Sequence, residues 1–104
     1  MRSSSQVPIE STPGCIASAV NVLGKKWTAL ILRDLLDGPK HFCELERSVG
    51  KINPRTLSQR LSCLEKQAII LNRNGHYELT EKGLSLMPVI KQMADWGIKY
   101  PTPQ

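Results

Sequence analysis

The segment Asn-Pro-Arg-Thr-Leu-Ser-Gln-Arg-Leu-Ser-Cys-Leu-Glu-Lys, residues 53–66, constrains the fold of this chain more than any other. Leu57, Leu61 and Leu64 recur at the spacing of one helix face, while Arg55, Ser58, Gln59 and Ser62 are left for another side. Asn53 is suited to accept a hydrogen bond from an orphan N–H in the first turn. Pro54 fits the first helical position, where its missing donor costs nothing. Such a helix buries its leucines and presents a polar, partly basic face that suits a nucleic acid. Arg matches guanine and Gln matches adenine in the major groove, whereas phosphate contacts fix the docking. Arg55 and Gln59 are therefore the candidate base readers. Thr56, Ser58 and Arg60 are candidates for phosphate or orienting contacts, and Asn53 holds the helix entrance. A solvated amphipathic helix carries the same pattern, so the surroundings must decide.

Apolar periodicity predicts further helices before this one. The first covers residues 14–23 and stops near Gly24. Trp27, Leu30, Ile31 and Leu35 share helical spacing and give a second over about 25–36, ended by Gly38-Pro39. A short third helix from Phe42 to Ser48 turns Phe42, Leu45 and Val49 inward. After residue 66, Ile69, Ile70 and Leu71 begin a strand, Asn72-Arg73-Asn74-Gly75 is a strong turn signal, and Tyr77, Leu79 and Thr80 fit the return strand. Three helices, a capped helix and a hairpin, in that order, make an α+β winged helix-turn-helix topology. A hairpin tip carrying Arg73, Asn74 and His76 can reach the DNA backbone or minor groove beside a helix in the major groove. A plain surface turn is the alternative for these residues.

The chain has 104 residues and a formal charge of +5. That length suits one modest domain whose core benefits from a partner subunit. The basic balance is compatible with a polyanion partner without demanding one. No apolar run approaches membrane-spanning length, and the first residues lack the apolar block and cleavage pattern of a secretory signal, so a cytoplasmic protein without membrane association is expected. Residues 1–13, rich in Ser and Pro, are expected to form a flexible arm. Residues 14–98 form the folded domain, and 99–104, with Pro101 and Pro103, a tail.

An ordered series of blocks extends this reading. Cys15 is followed by Leu23-Gly24-Lys25-Lys26-Trp27-Thr28-Ala29-Leu30-Ile31-Leu32-Arg33-Asp34-Leu35-Leu36-Asp37-Gly38-Pro39, then by Phe42-Cys43-Glu44-Leu45. Ile52 to Leu61, Tyr77 to Gly83, Leu86-Met87-Pro88-Val89 and Trp96-Gly97 complete it. The chain from Cys15 to Gly97 resembles the HxlR-type branch of the MarR-like winged helix-turn-helix regulators. That resemblance implies a prokaryotic transcription factor binding double-stranded operator DNA as a homodimer. It places residues 53–66 in the major groove, the 72–76 hairpin as the wing, and the first and last helices at the dimer interface. It also makes Cys15 a candidate redox or electrophile sensor, with an oxidant or small molecule as effector. The turn from Asn72 to Gly75 is shorter than the family's Pro-containing wing, so deep minor-groove reach is not implied.

The C-terminal segment supports a dimer independently. From Leu84 to Ile98, the apolar residues Leu86, Met87, Val89, Ile90, Met93, Ala94 and Trp96 cover more than one narrow stripe, more than a single small core consumes. Leu86, Val89, Ile90, Met93 and Trp96 are the expected interface residues, joined by Ile16 and Val20 from the first helix. The additional N-terminal and C-terminal helices are thus read as dimerisation helices. Pro88 should bend the last helix or mark a break within it, and Thr80 should cap it, with Glu81 beside its positive end. A two-fold dimer calls for an inverted-repeat operator.

Other residues are read more plainly. Sensing by Cys15 requires exposure and a stabilised thiolate; a buried small side chain is the alternative. Cys43 and Cys63 are expected to pack, one beside Phe42 and the other between Leu61 and Leu64, and their spacing fits no zinc or thioredoxin-like motif. His41 and Cys43 alone make a poor metal site, and no cofactor is expected. Neither a glycine-rich phosphate loop nor a serine–histidine–acid arrangement is present in the sequence, so no enzyme is expected. Lys25 and Lys26 at the second helix and Arg47 on the third are candidate phosphate contacts, with simple solvation as the alternative. Trp27 is expected to anchor the core. An architectural DNA-binding protein of low sequence specificity and a winged-helix protein-interaction module both stay open on this reading.

Overall fold

The computed structural model describes residues 13–103, so the expected arm falls, but for its last residue, outside the described residues. The elements run α1 (Pro13–Leu23), α2 (Thr28–Leu35), β1 (Lys40–His41), α3 (Phe42–Val49), α4 (Pro54–Lys66), β2 (Ile70–Arg73), β3 (His76–Leu79), α5 (Glu81–Leu84) and α6 (Met87–Lys99). No single helix among the described residues is long and apolar enough to cross a membrane.

The second helix begins later than its periodicity predicts. Trp27 adopts a left-handed backbone with φ 80°, so helical geometry cannot extend back through it, and residues 25–27 form a turn instead of the first turn of α2. The Trp27 ring still packs on the core, as expected of it. From there α2 buries Ile31, Leu32 and Leu35, α3 buries Leu45 and Val49, and α4 buries Leu57, Leu61 and Leu64. Ile52, Ile69, Ile70 and Ile90 close this one cluster. The three leucines of α4 are at most 3% exposed, so their burial orients the helix and fixes which face remains outside.

The sheet is antiparallel in the order β1-β3-β2. Its hairpin closes on Asn74 and Gly75, with Arg73 opposite His76. Both central residues have positive φ, 55° and 88°, the type I′ geometry that an Asn-Gly pair adopts at least cost. β1 is an addition to the expected topology: Lys40 pairs with Tyr77 and His41 with His76. Two residues carry no period-2 signal, which is why this strand is silent in the sequence.

The C-terminal helix departs most from expectation. Thr80 caps α5, not the last helix; its hydroxyl accepts the Gly83 N–H at 3.1 Å and lies 2.6 Å from the Ala68 carbonyl oxygen. A side chain at Gly83 would run into the carbonyl of Ile69, so only glycine lets α5 lie this close to the start of β2. The chain then breaks at Ser85–Leu86, and α6 starts anew with Pro88 in its first turn, where proline removes no intrahelical bond. The break exists, but Pro88 opens a helix and does not bend one.

Candidate nucleic-acid interface

The outer face of α4 is built from its N-terminus. Asn53 Oδ1 accepts the Arg55 N–H at 2.8 Å, so the Asn53 side chain is committed to the cap and shapes the helix entrance. Pro54 follows in the first turn. With the leucines inward, Arg55, Ser58 and Gln59 are exposed and Thr56 is half-buried at the flank. Ser62 and Lys66 continue the exposed row of Arg55 and Gln59 at helical spacing. Lys66 was absent from the sequence-based candidates, although this spacing would have found it. Lys51, exposed in the turn before α4, was absent too; its place beside the helix entrance becomes visible only with the turn built.

Arg60 does not belong to this row. It lies half-buried on the flank towards the α1–α2 turn, where its Nε–H donates to the Lys26 carbonyl at 3.3 Å. This hydrogen bond ties α4 to that turn through the Arg60 side chain. Lys25 and Lys26 are exposed in the same turn, with the Lys26 ammonium 5.0 Å from the Trp27 ring centroid, and Arg47 is exposed in the last turn of α3.

The hairpin is tied down at several points. Asn72 Oδ1 accepts the Gly75 N–H at 2.9 Å. Arg73 Nε lies 3.5 Å from a carboxylate oxygen of Glu78, so part of its charge is met within the hairpin, while Asn74 is exposed at the tip. His76 is half-buried, its ring 3.8 Å from that of His41, and His41 Nδ1 lies 3.1 Å from the Gly75 carbonyl oxygen. At the start of α3, Glu44 accepts the His41 backbone N–H at 2.8 Å. That hydrogen bond holds its carboxyl below the ordinary carboxylate range; slight burial opposes this, and the charges of His41, Lys40 and Arg47 reinforce it. Among the described residues no three or more His, Cys, Asp or Glu side chains are grouped to hold a metal ion.

The expected interface residues divide into two sets. Ile16, Val20, Val89, Met93 and Trp96 are exposed, Trp96 at 65%. Val20, Val89 and Met93 line one trough between α1 and α6, which makes the apolar surface of the two helices continuous. Ile90 is 9% exposed and belongs to the subunit's own core, and Leu86 packs half-buried against that core. One helical step from Val89 to Ile90 turns the side chain by about 100°, so neighbours in an apolar run serve different faces.

All three cysteines are exposed. For Cys15, near the start of α1, this is the accessibility that sensing requires. For Cys43 and Cys63 it overturns the packing reading: Cys63 lies a full helical step from buried Leu64, and Cys43 is exposed beside a Phe42 that is itself only half-buried.

Residues 22–104 match the model of the HxlR-like helix-turn-helix proteins. The chain belongs to this family. It is 36% identical over 93 residues to the HTH-type transcriptional regulator YodB of Bacillus subtilis, covering 83% of each chain. It is 39% identical over 90 residues to an uncharacterised HTH-type transcriptional regulator of Methanothermobacter thermautotrophicus, covering 79% of this chain and 68% of that one. Among solved structures, quinone-bound YodB superposes with a TM-score of 0.78 at 37% identity, over 84% of this chain and 99% of that one. The oxidised form of the redox regulator HypR also gives 0.78, at 29% identity, over 86% and 99%. This HxlR-family chain is therefore a DNA-binding transcriptional regulator with a mixed α+β winged helix-turn-helix core and flanking helices.

Proposed function

We propose that this regulator binds an inverted-repeat operator as a homodimer, with the outer face of α4 in the major groove. The observation that carries this reading is the exposed row of Arg55, Gln59 and their neighbours on a helix whose orientation is fixed by three buried leucines. Arg55 and Gln59 read base edges. Ser58 and Thr56 orient the helix or meet phosphate, and Arg73, Asn74 and His76 bring the short wing to the backbone. A two-residue loop does not carry the wing deep into the minor groove. Lys25, Lys26 and Arg47 add phosphate contacts.

The continuous apolar surface of α1 and α6 supplies the two-fold interface, through Ile16, Val20, Val89, Met93 and Trp96. Two copies of α4 then address half-sites about one helical turn of DNA apart, or a multiple of it. Among the similar structures, YodB is described as quinone-bound and HypR as a redox regulator in oxidised and reduced forms. On that likeness the exposed Cys15 is the residue through which an oxidant or electrophile alters operator binding.

The test is selection of DNA fragments by the purified, reduced protein at fixed physiological salt, followed by binding of the recovered sequence against a scrambled duplex. An inverted repeat bound about a hundredfold more tightly than the scramble is expected, with Arg55→Ala lowering that ratio in a folded dimer. Equal binding to both duplexes by wild type and variant would place this regulator among architectural DNA-binding proteins.

A further inference from the structure

α6 carries a second apolar face, about 115° around the helix from the Val89–Met93 face that adjoins α1. Here a trough of about 450 Å³ opens between α2 and α6, lined by Leu36, Met87, Ile90 and Ala94 together with Arg33 and Lys91. Ile90 is buried in its floor, whereas Leu36 is a large aliphatic side chain left 52% exposed. The hydrophobic side chains of this lining are all aliphatic; none offers an aromatic ring for stacking.

The charges at this trough are unequal. Lys91 pairs with Asp95 at 3.0 Å, so its charge is balanced within α6. Arg33, in the last turn of α2, takes part in no ion pair among the described residues, not even with Asp37 one turn on. An aliphatic trough beside one guanidinium that is in no ion pair among the described residues complements an amphipath with one anionic head. The planar two-oxygen geometry of a carboxylate matches a single guanidinium, while a phosphate dianion calls for more positive charge than this site offers. From Met87 to Ala94 the trough follows α6 for about 10 Å, close to the length of an extended chain of about eight carbons.

We propose that the α2–α6 trough binds a free medium-chain alkyl carboxylate, its head on Arg33 and its chain over Leu36, Ile90 and Ala94. The site lies outside the interface proposed for DNA and outside the α1–α6 surface proposed for the dimer, and it does not depend on either reading. Binding there fixes the position of α6 relative to α2.

The experiment titrates the full-length reduced protein, without DNA, with butanoate, hexanoate, octanoate and the neutral 1-octanol, by calorimetry and amide NMR. Saturable octanoate binding is expected, with shifts centred on residues 33–36 and 90–94. Affinity should rise by about fourfold at most for each methylene buried. Arg33→Gln should weaken octanoate about tenfold or more and leave octanol unchanged. Ala94→Phe, at an exposed position, should block both ligands while amide spectra show the fold intact. Absence of saturable octanoate binding, or equal octanoate affinity in wild type and Arg33→Gln, overturns the proposal. So does a change of association state in Ala94→Phe with no octanoate binding to the wild type, which would give the trough to a second copy of the chain.

Discussion

The imidazole rings of His41 and His76 lie 3.8 Å apart, centroid to centroid, at directly opposed positions of β1 and β3. His41 also begins α3, and its Nδ1 lies 3.1 Å from the Gly75 carbonyl at the wing tip. One side chain thus touches the wing while its own backbone starts the helix preceding α4. Cross-strand ring pairs are worth about 0.5–1 kcal/mol. His76→Ala should accordingly lower stability by about that much in denaturant unfolding and weaken amide protection at Tyr77, which pairs with Lys40. Unchanged protection at Tyr77 would mean that β1 is held without the histidine pair.

The hydrogen bond from His41 to Glu44 makes stability depend on acid. Its carboxyl titrates below its unfolded value, so the stabilisation is complete above that value and is lost as pH falls through the lower, folded one. Glu44→Gln should therefore be less stable than wild type near neutrality, and the two should converge as pH drops below about 4. Urea midpoints for both proteins across that range supply the measurement. A difference that persists at low pH would assign the effect to side-chain shape in place of charge.

Arg60 separates two kinds of contribution to DNA binding. A phosphate contact releases counterions, so removing one reduces the salt dependence of binding by about one unit of slope. Lys26→Gln should do this if Lys26 meets phosphate. Arg60→Met, which cuts the tie to the Lys26 carbonyl, should weaken binding with the salt slope unchanged, as expected of a side chain that acts by positioning α4. A slope reduced by Arg60→Met would return that side chain to the phosphate backbone.

These contrasts show which parts of the chain were legible in advance. The α4 leucines, the Asn53 cap, the Asn-Gly turn and the order of the larger elements rest on local chemistry, and local chemistry is written in the sequence. Trp27 takes its left-handed backbone, and α2 its late start, in a turn tied to α4 from 34 residues away by Arg60. β1 exists only because β3 is there to pair with it. Cys63 and Arg60 flank the buried stripe of α4, and which flank meets the α1–α2 turn depends on tertiary packing. Thr80 was legible as a cap; that the helix it caps is a separate four-residue α5, lying against Ile69 through Gly83, was not.

Ile90 and Trp96 give the dimer proposal its sharpest test, because they lie on one helix but serve different ends. Ile90 is 9% exposed in the subunit core and Trp96 is 65% exposed. Ile90→Ala removes core volume and should cost about 2–5 kcal/mol within each subunit. Trp96→Ala removes nothing from that core. If α6 forms the interface, this substitution should raise the dimer dissociation constant by tenfold or more, since buried aromatic anchors typically carry about 2 kcal/mol or more. Sedimentation equilibrium over a dilution series, with unfolding measured at one concentration, separates the two effects. Trp96→Ala with an unaltered dissociation constant would move the interface away from the C-terminal half of α6, leaving α1 and the surface around Val89 to carry it.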